Sequence, residues 1–126
     1  MEKRVGRYRL GPRWVELFLV SGDSGGFISC PPSGITRVEV CWNHDWRESM
    51  SVLLHEAIEL AITDIRGRFA PSPDYGNENS GYLFSFNHVQ FSEAIGRVAM
   101  FVHGCLGDFG RAWKKFEKPK PKKRKK

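Results

Sequence analysis

The sequence is short of cysteine, of long apolar runs and, over most of its length, of positive charge. Cys30, Cys41 and Cys105 are the only cysteines in 126 residues. Three scattered thiols exclude a disulfide framework, and the lack of any Cys-x-x-Cys pair removes zinc ribbons and fingers. Their odd number favours a reducing compartment. Apolar runs are brief and broken by charge, as in Val15-Glu16-Leu17-Phe18-Leu19-Val20. None approaches the roughly 20 apolar residues of a membrane-spanning helix, so no membrane partner is expected. The opening residues, Met-Glu-Lys-Arg-Val-Gly-Arg, carry charge with no apolar stretch behind them, and no secretory signal is expected. The expectation is a cytoplasmic protein, or a nuclear one in a eukaryotic host.

The net charge of +6 belongs to the ends of the chain. Seven of the 20 basic residues fall within residues 118–126, which leaves 13 against 14 acidic ones. Between residues 14 and 113 there are six basic and twelve acidic residues. The segment Lys118-Pro119-Lys120-Pro121-Lys122-Lys123-Arg124-Lys125-Lys126 cannot bury a core and reads as a disordered basic tail. Its seven cations suit non-specific contact with nucleic acid or another polyanion, weakening as salt rises. Residues 1–117 read as one domain, since 40% hydrophobic content supports a packed core.

The first 45 residues read as short strands. Residues 7–10 precede a Gly11-Pro12 turn, and residues 13–20 are rich in strand formers. Ser-Gly-Asp-Ser-Gly-Gly at 21–26 is a turn, Phe27-Ile28-Ser29-Cys30 a short strand. Residues 35–42 alternate, with Val38, Val40 and Trp42 on one side. Short connections predict antiparallel hairpins. A helix is predicted over 46–66, capped by Asn43 or Asp45, with Leu54, Ile58, Ala61 and Ile65 as its apolar face and Gly67 as its end. Residues 67–81 read as a loop and 82–86 as a short strand. Asn87 and Gln90 fit a capping box for a second helix over 88–116. Its predicted buried stripe is Ile95, Val98, Ala99, Val102, Leu106, Phe109 and Trp113. Its glycines at 96, 104, 107 and 110 either allow close packing or break it near residue 107. The fold class is α+β: a small antiparallel N-terminal sheet packed with two long helices.

The first helix contains Leu54-His55-Glu56-Ala57-Ile58-Glu59. His55 and Glu59 are four apart and share a face, the convergence that a metal needs from two donors. Glu56 lies about 100° round and can reach a water held above that face. A catalytic zinc takes three protein ligands and keeps one position for water. His88, ahead of the second helix, is the best third candidate, with Glu93 as runner-up and His44 as a substitute. The set His55, Glu59 and His88 suits Zn2+, and the same donors suit iron or manganese.

Residues 52–60, Val-Leu-Leu-His-Glu-Ala-Ile-Glu-Leu, resemble the active-site helix of the zincin metallopeptidases, whose motif is His-Glu-x-x-His. The layout of residues 35–100 is similar too: a small sheet before the helix and another helix after it. The resemblance implies His55 as a zinc ligand and Glu56 as general base. It also implies an extended peptide substrate paired along the 35–42 strand. Position 59 departs from the family, being Glu where zincins have His.

Other groupings are blander. Cys41-Trp42-Asn43-His44-Asp45 reads as a strand ending in a polar turn. His103 reads as a packing histidine beside the buried stripe, Cys30 and Cys105 as small buried residues, and most of the four tryptophans as core. Two other readings stand beside a metal-dependent peptide hydrolase. One is a non-enzymatic accessory protein, of the kind phages encode, that binds a protein partner and uses its tail on nucleic acid. The other is a structural zinc domain with a fourth ligand from Glu93 or His44.

Overall fold

Strand β1 (Glu2–Leu10) and strand β2 (Arg13–Val20) form the opening hairpin of the computed structural model, which describes residues 1–22, 25–29, 34–69 and 83–117. Gly11 supplies the positive φ, 60°, that its two-residue turn requires. The ladder slips between Arg4 and Gly6, a bulge in which the ring of Tyr8 lies over Gly6. β3 (Gly26–Ser29) is laid down at the far edge, and β4 (Thr36–Cys41) returns into the gap. The order is therefore β1-β2-β4-β3.

That order corrects the wholly antiparallel sheet expected from short connections. β4 pairs antiparallel with β3 but parallel with β2. Its alternation sets its two faces. Thr36, Val38 and Val40 are buried beside Val15, Leu17 and Leu19, while Arg37 and Glu39 pair with each other on the outer face. The α+β class holds.

Helix α1 (Trp46–Asp64) starts at Asp45, whose Oδ1 accepts the Arg47 N–H at 2.9 Å. Asn43 Oδ1 accepts the Asp45 N–H at 2.8 Å, so both predicted caps work in series. α1 buries Ser49, Leu53, Glu56, Ala57, Leu60, Ala61 and Ile62. Of the predicted face only Ala61 is buried. Leu54 and Ile65 are half-buried and Ile58 is exposed. Apolar residues run nearly all round this helix, so periodicity could not select the side that the sheet would cover. Its last turn closes with Arg66 at φ 63°, not at Gly67. Gly67 is small for another reason: a Cβ there would meet Ile62 at 3.0 Å and Phe86 at 3.2 Å.

A two-stranded ribbon, β5 (Arg68–Phe69) with β6 (Leu83–Phe84), precedes helix α2 (His88–Glu117). The predicted capping box is made both ways. Asn87 N–H donates to Gln90 Oε1 and Gln90 N–H to Asn87 Oδ1, each at 2.9 Å. α2 runs unbroken through its glycines. It buries Ala94, Val98, Phe101, Cys105, Phe109 and Ala112. Val98 and Phe109 belong to the predicted stripe, whereas Ile95 and Ala99 are exposed. The true stripe, built on small and aromatic residues, lies partly round the helix from the aliphatic one. β2, β4 and both helices share one core. Among the described residues no helix is long and apolar enough to cross a membrane.

Candidate functional site

The start of α1 is locked in rotation. Ser49 Oγ accepts from the Asn43 N–H at 3.2 Å and from Trp113 Nε1 at 3.1 Å, and Trp113 Nε1 also donates to Asn43 O at 2.9 Å. Trp46 packs between the rings of Phe109 and Trp113. These contacts fix the phase of the following turns. Val52 and Glu56 point toward β3, and Ser51 and His55 line the rim of the cleft beside it. Gly25, Gly26, Ser51, Val52, His55 and Glu56 line that cleft, which has a volume of about 350 Å³.

Glu56 is its chemical centre, only 7% exposed. Burial raises its carboxyl above the ordinary range. The nearby Glu59 raises it further, and His55 opposes both. A Cβ on Gly26 would sit 2.9 Å from both Cγ and Oε1 of Glu56 and 2.9 Å from Glu39 O. Only glycine lets this strand approach the carboxylate so closely.

Among the described residues β3 is also the terminal strand of the sheet. Cys41 N–H donates to Gly25 O at 2.9 Å, so 25–41 is a hydrogen-bonded pair. Antiparallel alternation then turns the N–H and C=O of Gly26 and Ile28 away from β4. The expectation that residues 35–42 would offer the peptide-pairing edge is corrected: β4 has neighbours on both sides, and β3 is the edge.

His55 Nε2 lies 3.3 Å from Glu59 Oε2, one turn apart as the spacing predicted. The imidazole is largely exposed and the carboxylate mostly covered. His88 does not complete a set with them. It is exposed at the first residue of α2. Among the described residues, no three His, Cys, Asp or Glu side chains are grouped to hold a metal ion. The donors fit a cation only in part: two converge and the described residues supply no third.

The substitutes are occupied elsewhere. Glu93 pairs with Arg97 at 2.5 Å. His44 lies edge-on to Trp42 with centroids 4.4 Å apart, so the polar-turn reading describes residues 41–45 well. His103 is exposed, not packed, because the buried stripe lies on the other side of α2. Cys105 is fully buried, and burial pushes its thiol up to about 12. Cys30, the Asp23–Ser24 turn, most of the 67–81 loop and the tail cations Lys118, Lys120, Lys122, Lys123, Arg124, Lys125 and Lys126 lie outside the described residues.

Sequence reasoning missed Gly25 and Gly26, which it read as part of a turn. The signal was present: a Gly-Gly pair entering a strand marks close backbone approach as readily as a bend. Compared with family models, curated proteins and solved structures, the chain has no match, so its likeness to zincins rests on residues 52–60 and the layout around them.

Proposed function

We propose that the chain is a metal-binding, zincin-like peptide hydrolase in which an extended peptide pairs with the edge of β3 and Glu56 is the general base. The observation that carries this reading is the meeting of three features in one cleft. A desolvated carboxylate, an edge strand thinned to glycine beside it, and the His55 imidazole meet there, and His55 pairs with Glu59 one turn on. The outward N–H and C=O of Gly26 and Ile28 would align the peptide backbone, as in strand addition. The raised affinity of Glu56 for a proton suits a group that takes one from an attacking water and returns it to the leaving amine. His55 and Glu59 would hold the divalent cation, with zinc as first choice. When bound, such a cation makes water more acidic and polarises a carbonyl.

The test combines metal content with hydrolysis of an unstructured polypeptide such as casein. The expected result is about one zinc per chain after dialysis against the metal. His55→Ala and Glu59→Ala should lose it, while His88→Ala and Glu56→Gln retain it. Glu56→Gln should abolish hydrolysis. A wild-type chain that takes up no zinc, iron or manganese and cleaves nothing refutes the reading. In that event the exposed Phe84, Phe86 and Phe91 make protein binding the next activity to measure, with and without the basic tail.

A further inference from the structure

Arginines are spread unevenly over the carboxylates of this domain. Among the described side chains, Glu2, Glu16, Glu39, Glu93 and Asp108 each pair with an arginine. Asp45 and Asp64, at the two ends of α1, do so as well. Glu48 and Glu56, between them, do not. Glu48 is the third residue of α1, where a capping-box glutamate accepts the N–H of the capping residue. Here the Asp45 N–H goes to Asn43 Oδ1 at 2.8 Å, and the exposed Glu48 carboxylate is left to solvent. Glu56 is the opposite case. It is more than nine-tenths buried, lines the cleft, and accepts no hydrogen bond from a described residue. A buried carboxylate is costly without a partner, and only the His55 imidazole works against its charge.

Helical phase sets both carboxylates along one trough. Ser51 and Glu56 bound the arc of α1 that lines the cleft, about 140° wide, and Glu48 falls inside that arc, one turn before Val52. Glu48 and Glu56 are about 12 Å apart along the helix axis. The opposite wall is the edge of β3. Among the described residues that line the cleft, none is lysine or arginine. Arg47, the one arginine of α1, lies about 100° round the helix from Glu48. Arg37 of β4 is on the outer face of the sheet, its Cζ 3.7 Å from the centre of the Phe18 ring. Residues 21–35 and 69–82 contain no lysine, arginine or histidine and add Asp23, Asp74 and Glu78.

We infer that the extended peptide this cleft takes is a basic one, with lysine or arginine at alternate positions on the side that faces α1. The inference rests on the strand addition proposed above and adds the substrate class to it. Side chains on one side of an extended peptide recur about every 6.8 Å, so two such steps, about 13 Å, match the separation of Glu48 from Glu56. Glu48 meets a cationic side chain at the mouth of the cleft. The buried charge of Glu56 sets the sign that the cleft admits, since a second carboxylate brought beside it would raise the cost of burial further. An acidic peptide is therefore excluded by repulsion, and a neutral one gains only the backbone pairing along β3.

The test is fluorescence anisotropy of the full chain with three labelled peptides of equal length, in which alanine alternates with lysine, with serine or with glutamate. The salt is held at roughly 0.15 M, so that distant surface charges are screened. The expected result is that the lysine peptide binds about tenfold tighter than the serine peptide, the scale of one charged contact, and that the glutamate peptide binds weakest. Glu48→Gln and Glu56→Gln should each reduce the lysine preference several-fold and leave serine-peptide binding unchanged. Glu93→Gln alters net charge by the same amount on α2, away from the cleft, and should leave the preference as it is. Absence of binding by all three peptides overturns the strand addition and this inference with it. Equal binding of the lysine and serine peptides leaves the strand addition standing and overturns the inference alone. A lysine preference that falls as far in Glu93→Gln as in Glu48→Gln and Glu56→Gln belongs to the charge of the whole chain, and overturns it too.

Discussion

The two edges of the sheet are finished in opposite ways. β1 is long, nine residues, and guarded. Lys3, Arg4, Arg7 and Arg9 repel a second copy of the same strand, a bulge breaks its ladder, and α2 packs along it. Tyr8 pins that edge down. Its hydroxyl donates to Asp108 Oδ2 at 2.7 Å, and its ring meets Phe101 edge-on at 6.3 Å. β3 is four residues long, begins with glycine and bears no basic residue. Each edge holds a glycine beneath a side chain: Gly6 under Tyr8, Gly26 under Glu56. At one edge the covering group is a phenol tied to a helix. At the other it is a carboxylate kept out of water. The same steric device closes one edge and leaves the other chemically available.

The guarded edge should be the costlier to disturb. Phe101 is 1% exposed beneath Tyr8, and truncating it leaves a cavity in the wall that β1 shares with α2. Phe101→Ala is expected to cost about 3–5 kcal/mol in denaturant unfolding. Amide exchange should rise most in β1. Equal acceleration in β1 and β3 would mean that the edges are not independently held, and the contrast would collapse.

The open edge is expected to fail by crowding. Gly26→Ala puts a methyl group 2.9 Å from a backbone oxygen that cannot swing aside and from the Glu56 carboxylate that can. The expected cost is about 1–3 kcal/mol, with Glu56 displaced from the cleft. Gly25→Ala separates sterics from backbone strain. It has φ 83° but nothing within 4 Å of its Cβ, so it pays only for the left-handed backbone. If the two substitutions cost the same, the close approach of Glu56 is not what requires glycine at position 26.

How much of this was legible beforehand depended on whether a feature is local. The Asp45 cap, the Asn87–Gln90 box, the alternation of β4 and the 55–59 pairing are set by residues within one turn or one strand, and they are in place. Strand order is not local. Nothing in residues 21–35 states that β3 passes outside β4, and so the edge was assigned to the wrong strand. Helix phase was hidden for a related reason. α1 is apolar nearly all round, and α2 carries two apolar stripes, one for the core and one left at the surface. The resemblance in residues 52–60 pointed to one candidate donor, His55, and a candidate base, Glu56, and helical spacing added Glu59. The third donor depended on how the start of α2 sits relative to α1, which no spacing in the chain determines.

The smallest expected effect concerns Glu56 itself, and its sign separates a functional carboxylate from a structural one. Its folded-state pKa is raised, first by burial and then by Glu59. A group of this kind binds protons more tightly folded than unfolded, so wild-type stability should fall as pH rises through the unfolded carboxylate range and on to the folded pKa. Glu56→Gln removes the buried charge and keeps the shape. It should therefore be more stable than wild type at pH 7, by about 1 kcal/mol, the usual scale of a single stabilising substitution. The advantage should vanish toward acid, where the wild-type carboxyl takes up its proton. Urea unfolding of both proteins across pH 4 to 8 reads this directly. A Glu56→Gln variant less stable than wild type at neutral pH would make the Glu56 charge part of what holds β3 to α1. The open edge would then be a structural feature, like the guarded one, and the cleft would lose its claim to a base.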